Sequence, residues 1–297
     1  MGRGFIPLPT GGSGGGAAKS DVWDLVDYEW ITVNGTWDKM AALAAHVPGY
    51  AMDDIRLDID IIGGGSSGYC CSSGPGAGGP QGGVRRLSKL HPDELAETVA
   101  AVIGAGGAAI DSGSKSGSFY AANPGGATSF GPWSAPGGNR ASNSFLMSTA
   151  TMPSDVPLGA PGAGNTSSVA PSAAMPSFGP GGGGAGGWQT GPGLSGGNAC
   201  VDRPTSKTLG GQGVSDAAGQ PGVDAFDAWG FGSGAAGGAA HMSAGLNCGG
   251  KGGFPGGGGG GGGRDGIGAD NRPLNGGAGG NGAVRIRYFV RRGAVAA

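Results

Sequence analysis

Hydrophobic positions in this chain fall into a few short periodic stretches, separated by long runs with no period. Ile55, Leu57, Ile59 and Ile61 alternate with Arg56, Asp58 and Asp60, the two-residue period of a half-buried strand. Val284, Ile286 and Tyr288 alternate in the same way with Arg285 and Arg287. Laid side by side, the two stretches match apolar face to apolar face, and Asp58 and Asp60 meet Arg285 and Arg287. Opposite charges across strands contribute roughly 0.2–1 kcal/mol per pair. The pattern therefore predicts that the first and last strands pair and close the intervening chain into one domain. Val84–Leu90 and the apolar island 98–103 are further short stretches, joined by a turn at His91-Pro92-Asp93-Glu94-Leu95. Near the N-terminus, Trp30–Val33 and Thr36-Trp37 flank Asn34-Gly35, which predicts a hairpin because Asn-Gly supplies the positive φ of a type I′ turn. Asp38 to Val47 reads as a short helix, capped by Asp38 and stopped by Pro48-Gly49.

Glycine governs the rest. The chain has 297 residues with 74 Gly and 20 Pro, about a third of the whole, and charged residues are only 13%. Gly-dominated tracts recur at 74–83, 104–107, 179–187, 230–238, 249–263 and 276–282. They follow no period of about 20–50 residues, which argues against a tandem solenoid, and no Gly-X-Y period, which excludes collagen. Large apolar residues are too few to fill the core of an ordinary enzyme domain, and each Gly loses the most backbone entropy on ordering. A net charge of −2 does not fit a highly charged disordered tail, nor does it give the basic footprint of a nucleic-acid binder. From Ser116 to Cys200 the only charges are Arg140 and Asp155, a poor solubilising tail. A Gly run can instead adopt the polyproline II geometry, at about 3.1 Å per residue with no internal hydrogen bonds. Bundled rods would bond one another, and only Gly permits the approach. A flexible linker is the alternative reading of the same tracts. The expected fold is mostly irregular and β. A small N-terminal mixed α/β segment precedes a glycine-rich domain of bundled polyglycine II helices closed by short strands. Its parts are an extended arm over 1–20, a docking segment over 21–62 (hairpin, short helix, strand), and the glycine-rich domain over 63–297 with a C-terminal strand at 284–290. The docking segment is acidic, nine carboxylates facing only Lys39 and Arg56.

Motifs that could carry chemistry are weak. Gly-x-Ser-x-Gly occurs at Gly11–Gly15 and Gly64–Gly68, but the nucleophile elbow needs a helix after Ser66, and Ser67-Gly68-Tyr69-Cys70-Cys71-Ser72-Ser73-Gly74-Pro75 will not form one. Gly245-Leu246-Asn247-Cys248-Gly249-Gly250-Lys251 approaches a phosphate loop, but Gly252 replaces the Ser/Thr that would hold Mg²⁺. His46, His91 and His241 lack partners at metal-ligand spacing, and Cys70, Cys71, Cys200 and Cys248 form no Cys-x-x-Cys pair. No catalytic, cofactor or metal site is expected, and no enzyme. Four scattered cysteines read as free thiols of a reducing cytosol. The start has no apolar h-region, and the longest apolar stretch, Ala41 to Val47, is too short to insert in a membrane. Trp133, Trp188, Trp229 and Phe231 sit beside Gly in loops. Such rings either cover the scaffold or stack on a ligand, so these four are the candidate receptor contacts.

One order of segments is more specific than its parts. Ile59-Asp60-Ile61-Ile62 enters Gly63-Gly64-Gly65. Thr98-Val99 and Ile103-Gly104-Ala105-Gly106-Gly107 follow, then Gly125-Gly126-Ala127-Thr128-Ser129-Phe130-Gly131, a long Gly run, and finally Gly279-Gly280-Asn281-Gly282-Ala283-Val284-Arg285-Ile286. Over about 55–290 this resembles the glycine-rich domain of minor tail proteins from phages of actinobacteria, related to glycine-rich tail-fibre adhesins. The resemblance implies a virion protein at the tail tip, made in the bacterial cytoplasm, in which a polyglycine scaffold presents loops to the host. It implies as partners other tail-tip proteins, a host cell-envelope receptor such as a glycan, and further copies of the chain, in a homotrimer. It implies no cofactor, nucleic acid or membrane insertion. The tail Gly-Gly-Ala-Gly-Gly-Asn-Gly also resembles mycobacterial glycine-rich surface proteins, which makes a bacterial cell-surface structural protein the alternative.

Overall fold

The computed structural model describes residues 21–71, 76, 78–110, 119–120, 122–139, 179–181, 183–184, 188–189, 218–233, 235, 248–262, 264–265 and 275–296. The arm expected over 1–20 lies outside them. The elements are β1 (Trp23–Ile31), β2 (Gly35–Asp38), α1 (Lys39–His46), β3 (Ile55–Ile62), β4 (Cys70–Cys71), β5 (Val84–Leu90), β6 (Thr98–Val102), β7 (Phe119–Tyr120), β8 (Thr128–Phe130), β9 (Trp133–Ala135), β10 (Trp188–Gln189), β11 (Arg264–Asp265) and β12 (Ala283–Arg291). The protein is mostly β, with very little helix. Asp38 accepts from the Ala41 amide at 2.8 Å and starts α1; after the helix, Gly49 takes φ 79°.

Two four-stranded antiparallel sheets, ordered β1-β12-β3-β5 and β2-β6-β8-β9, carry the core. β3 and β12 lie in register, with Ile59 opposite Ile286, Ile61 opposite Val284, Asp60 opposite Arg285 and Asp58 opposite Arg287. Their apolar faces meet Trp37, Val99 and Phe130 of the second sheet and Leu43 of α1 in one buried cluster. Burial of such a side chain is worth about 1.5–3 kcal/mol.

Three expectations need correction. Asn34-Gly35 does not close a hairpin: β1 before it pairs with β12, and β2 after it pairs with β6 in the other sheet. The boundary drawn at residue 62 marks no break, because each sheet takes strands from both sides of it. Nor does β3 stay half-buried along its length: Arg56 and Asp58 are partly exposed, but Asp60 is fully buried, as are Arg285 and Arg287 beside it on β12. Residues 225–231 cover that part of the polar side.

Beyond the sheets the glycine tracts lie against one another, joined by backbone hydrogen bonds. Among the described residues, six segments are hydrogen-bonded to the tract 256–262 and its entry at Pro255. Gly82, Gly79 and Gly76 donate to the carbonyls of Gly256, Gly259 and Gly262; Gly280 and Gly277 donate to Gly257 and Gly260. Gly258 and Gly261 donate to Gly181 and Gly184; Gly257 and Gly260 donate to Gly253 and Gly250; Gly259 and Gly262 donate to Ser66 and Tyr69. Gly232 and Ala235 complete the ring, donating to Pro255 and Gly258. Against each neighbour the bonds recur every third residue.

This lattice has two ends. At its base, Gly63, Gly83, Ala127 and Gly282 continue directly into or out of β3, β5, β8 and β12, and the turns 225–231 and 254–256 reverse the chain. At its tip Gly262 accepts from Gly76 and donates to Tyr69, with Gly184, Ala235, Cys248 and Asn275 at the same end of their segments. The described segments ending at these tip residues lead into the intervening stretches there.

Candidate functional site

Sequence candidates of two different kinds converge beneath the turn 225–231. β3 and β12 place Asp60 between arginines: Arg285 Nη2 lies 2.7 Å and Arg287 Nη2 3.2 Å from Asp60 Oδ2, while Arg86 Nε, from β5, donates to Asp60 Oδ1 at 2.6 Å. Arg287 also lies 3.6 Å from Asp58. Burial alone would raise the Asp60 pKa. The three guanidinium groups outweigh it and hold the carboxyl well below the usual range. Arg285 further donates to the Gly230 carbonyl at 2.7 Å, and its guanidinium stands 4.7 Å over the Phe231 ring and 4.9 Å over Trp30. Arg287 stands 4.6 Å over Trp229.

The four aromatic candidates thus have different surroundings. Phe231 is fully buried with Ile62 and Val84, so its ring has no face open to a ligand. Trp229 is half-buried on Arg287. Trp133, in β9, packs partly buried against the main core. Trp188 lies in β10, opposite Arg264 of β11, and its side chain lies outside what is described.

Sequence reasoning passed over the rings that do reach the surface of this region. Phe226 is 58% exposed and stacks on Phe254, with centroids 4.8 Å apart and planes at 21°. Phe254 meets Trp30 edge-on at 5.7 Å, and the Trp30 indole donates to the Phe226 carbonyl at 3.0 Å. The turn is tied down by its own carboxylates. Asp227 Oδ1 accepts from the amides of Trp229 and Gly230, and Asp224 Oδ1 accepts from Phe254 at 2.6 Å. The run Asp224-Ala225-Phe226-Asp227-Ala228-Trp229, acids and rings inside a Gly-rich stretch, was the available signal.

A second polar cluster fastens α1 to the first sheet. His46 Nδ1 lies 2.8 Å from Asp27 and Nε2 3.6 Å from Glu29, both on β1, and the imidazole stacks on Tyr288 of β12 at 4.5 Å. Tyr288 and Trp37 both donate to Glu29 Oε1. The Glu29 carboxylate raises the His46 pKa most; burial opposes it, and Asp27 adds to the rise. A raised folded value stabilises the fold fully below the unfolded pKa, near 6.5, and that contribution is lost as pH rises through the folded value. Unfolding midpoints of the native protein are expected to fall across this window relative to those of His46→Gln. Parallel curves for the two proteins would contradict the assignment.

Among the described residues there is no group of three or more His, Cys, Asp or Glu that could hold a metal ion, and no helix long and apolar enough to cross a membrane. A family model described as a glycine-rich domain matches residues 51–289, a range that holds β3, most of β12 and the described lattice. No curated protein matches the chain.

Proposed function

We propose, for a chain that belongs to the glycine-rich domain family, that it is a structural protein of a phage virion: a minor tail protein at the tail tip that contributes to recognition of the host cell surface. In this reading the lattice is a bundle of polyglycine II helices. Bonds to each neighbour at every third residue, and six neighbours around one tract among the described residues, support that geometry, since such a helix has three residues per turn. The resemblance of segment order over about 55–290 supports the tail identity. The observation that carries the recognition role is the two-ended lattice, with the sheets at one end and, at the other, the ends of the segments that finish at Gly184, Ala235, Cys248 and Asn275. Ordered glycine rods present the stretches beyond these ends outward, while the sheets face the rest of the tail. The chain acts as a homotrimer, contacts other tail-tip proteins and meets a cell-envelope receptor, with no catalytic step and no cofactor.

Antibody fragments raised against the purified chain test this directly. Gold-labelled fragments are expected at the tail tip of purified virions, and fragments against residues 190–217 or 236–247 are expected to block adsorption. Label on the tail with unaffected adsorption would leave a purely structural role. Label on bacterial cells free of phage would instead establish the cell-surface alternative.

A further inference from the structure

We propose that the exposed face made by Phe226, Phe254 and Trp30 with Asp224 and Asp227 docks an arginine side chain of a neighbouring protein. The existence of such a neighbour rests on the tail-tip reading; the chemistry of the face does not. Phe226 uses one ring face on Phe254 and is 58% exposed, with Val223 beside it in the chain 50% exposed. The ring therefore offers a flat apolar surface at the base of the lattice, the end that carries the sheets.

On either side of Phe226 in the chain stand Asp224 and Asp227, both exposed. One oxygen of each is committed to backbone amides, which fixes the carboxylates in place. No Arg, Lys or His among the described residues forms an ion pair with either. The face is thus a ring flanked by hydrogen-bond acceptors and negative charge. Its complement is flat, cationic and rich in donors. A guanidinium meets all three requirements, with five N–H donors and no acceptor. An ammonium carries the charge but cannot lie flat on a ring, and a neutral sugar ring could stack there but would leave the negative charge unmatched. The chain applies the same solution on the inner side of this turn. There Arg285 lies over Trp30 and Phe231, bonded to a carboxylate and to the Gly230 carbonyl. Arginine is also among the residues enriched at the energetic centres of protein interfaces.

The probe is the pentapeptide Gly-Arg-Gly-Arg-Gly, titrated into the full-length chain and followed by the indole N–H resonance of Trp30, which reports the Phe226 carbonyl directly. A saturable shift is expected, about fivefold or more weaker for the Lys counterpart, in line with loss of the planar fork. Phe226→Ala is expected to weaken it about tenfold through loss of the stacking surface. Asp224→Asn combined with Asp227→Asn keeps an acceptor for each backbone bond and is expected to weaken binding similarly while the other indole resonances stay in place. Equal binding of the Lys peptide, or unchanged binding by Phe226→Ala, would overturn the proposal. So would a Trp30 shift produced by methyl glucoside and not by the Arg peptide. None of these outcomes depends on finding the chain in a virion, so failure here is distinguishable from failure of the tail-tip reading.

Discussion

Gly259→Ala is expected to destabilise the protein by about 3 kcal/mol, in the range of overpacking with lost backbone hydrogen bonds. Gly259 donates to Ser66 at 3.0 Å and accepts from Gly79 at 2.7 Å. A Cβ placed on it would collide with the carbonyl oxygens of Gly277 and Ala278. Those groups cannot retreat freely, because Gly277 donates to Gly260 and Gly279 donates to Gly107. The methyl group therefore forces apart segments that are held together by the bonds it displaces. A fall in Tm of roughly 5–10 °C is the expected reading for a chain of this size. Gly35→Ala is the control: nothing lies within 4 Å of a Cβ there, and its effect is expected within about 0.5 kcal/mol. If the two substitutions behave alike, the tracts are not packed against one another.

Asp60→Ala is expected to cost about 3–5 kcal/mol, the usual cost of removing one partner from a buried ion pair. It leaves Arg285 and Arg287, both fully buried, without the carboxylate they share, while Asp58 stays 3.6 Å from Arg287. Asp60→Leu combined with Arg285→Met removes opposite charges together and is expected to recover part of the loss. Denaturant midpoints at neutral pH check both. The pH dependence has a definite sign. The folded pKa of Asp60 is depressed, so its contribution is complete above the unfolded value near 3.8 and is lost only as pH falls through the lower folded value. Mild acid should therefore leave this cluster intact. Additive losses in the double variant would contradict the coupling.

The pairing of β3 with β12 is legible in the sequence because two strands of the same period carry opposite charges at matching positions. What covers their polar side is not legible. Trp229 and Phe231 lie far along the chain, and nothing local in Asp60 announces that a turn will bury it. The hairpin expectation failed for a related reason. Neither Asn34 nor Gly35 takes a positive φ, and Gly35 already belongs to β2, so the dipeptide makes no type I′ turn; the choice of strand partner belongs to tertiary packing, which sends β1 to β12 and β2 to β6. The glycine tracts are the least legible of all. A residue without a side chain carries no pattern to set register or partner, so the composition can suggest that tracts bundle without saying which tract meets which. Phe226 was missed because its significance lies in exposure, which sequence cannot give.

The described glycine tracts are joined to one another by backbone hydrogen bonds, as a scaffold is and tethers between small sheets are not. Amide hydrogen exchange over Gly256–Gly262 in the purified full-length protein tests this most directly. Every amide in that run donates to a neighbouring backbone carbonyl, so protection comparable to that of β3 is expected, lost cooperatively in Gly259→Ala. Exchange at the random-coil rate, with β3 still protected, would contradict it.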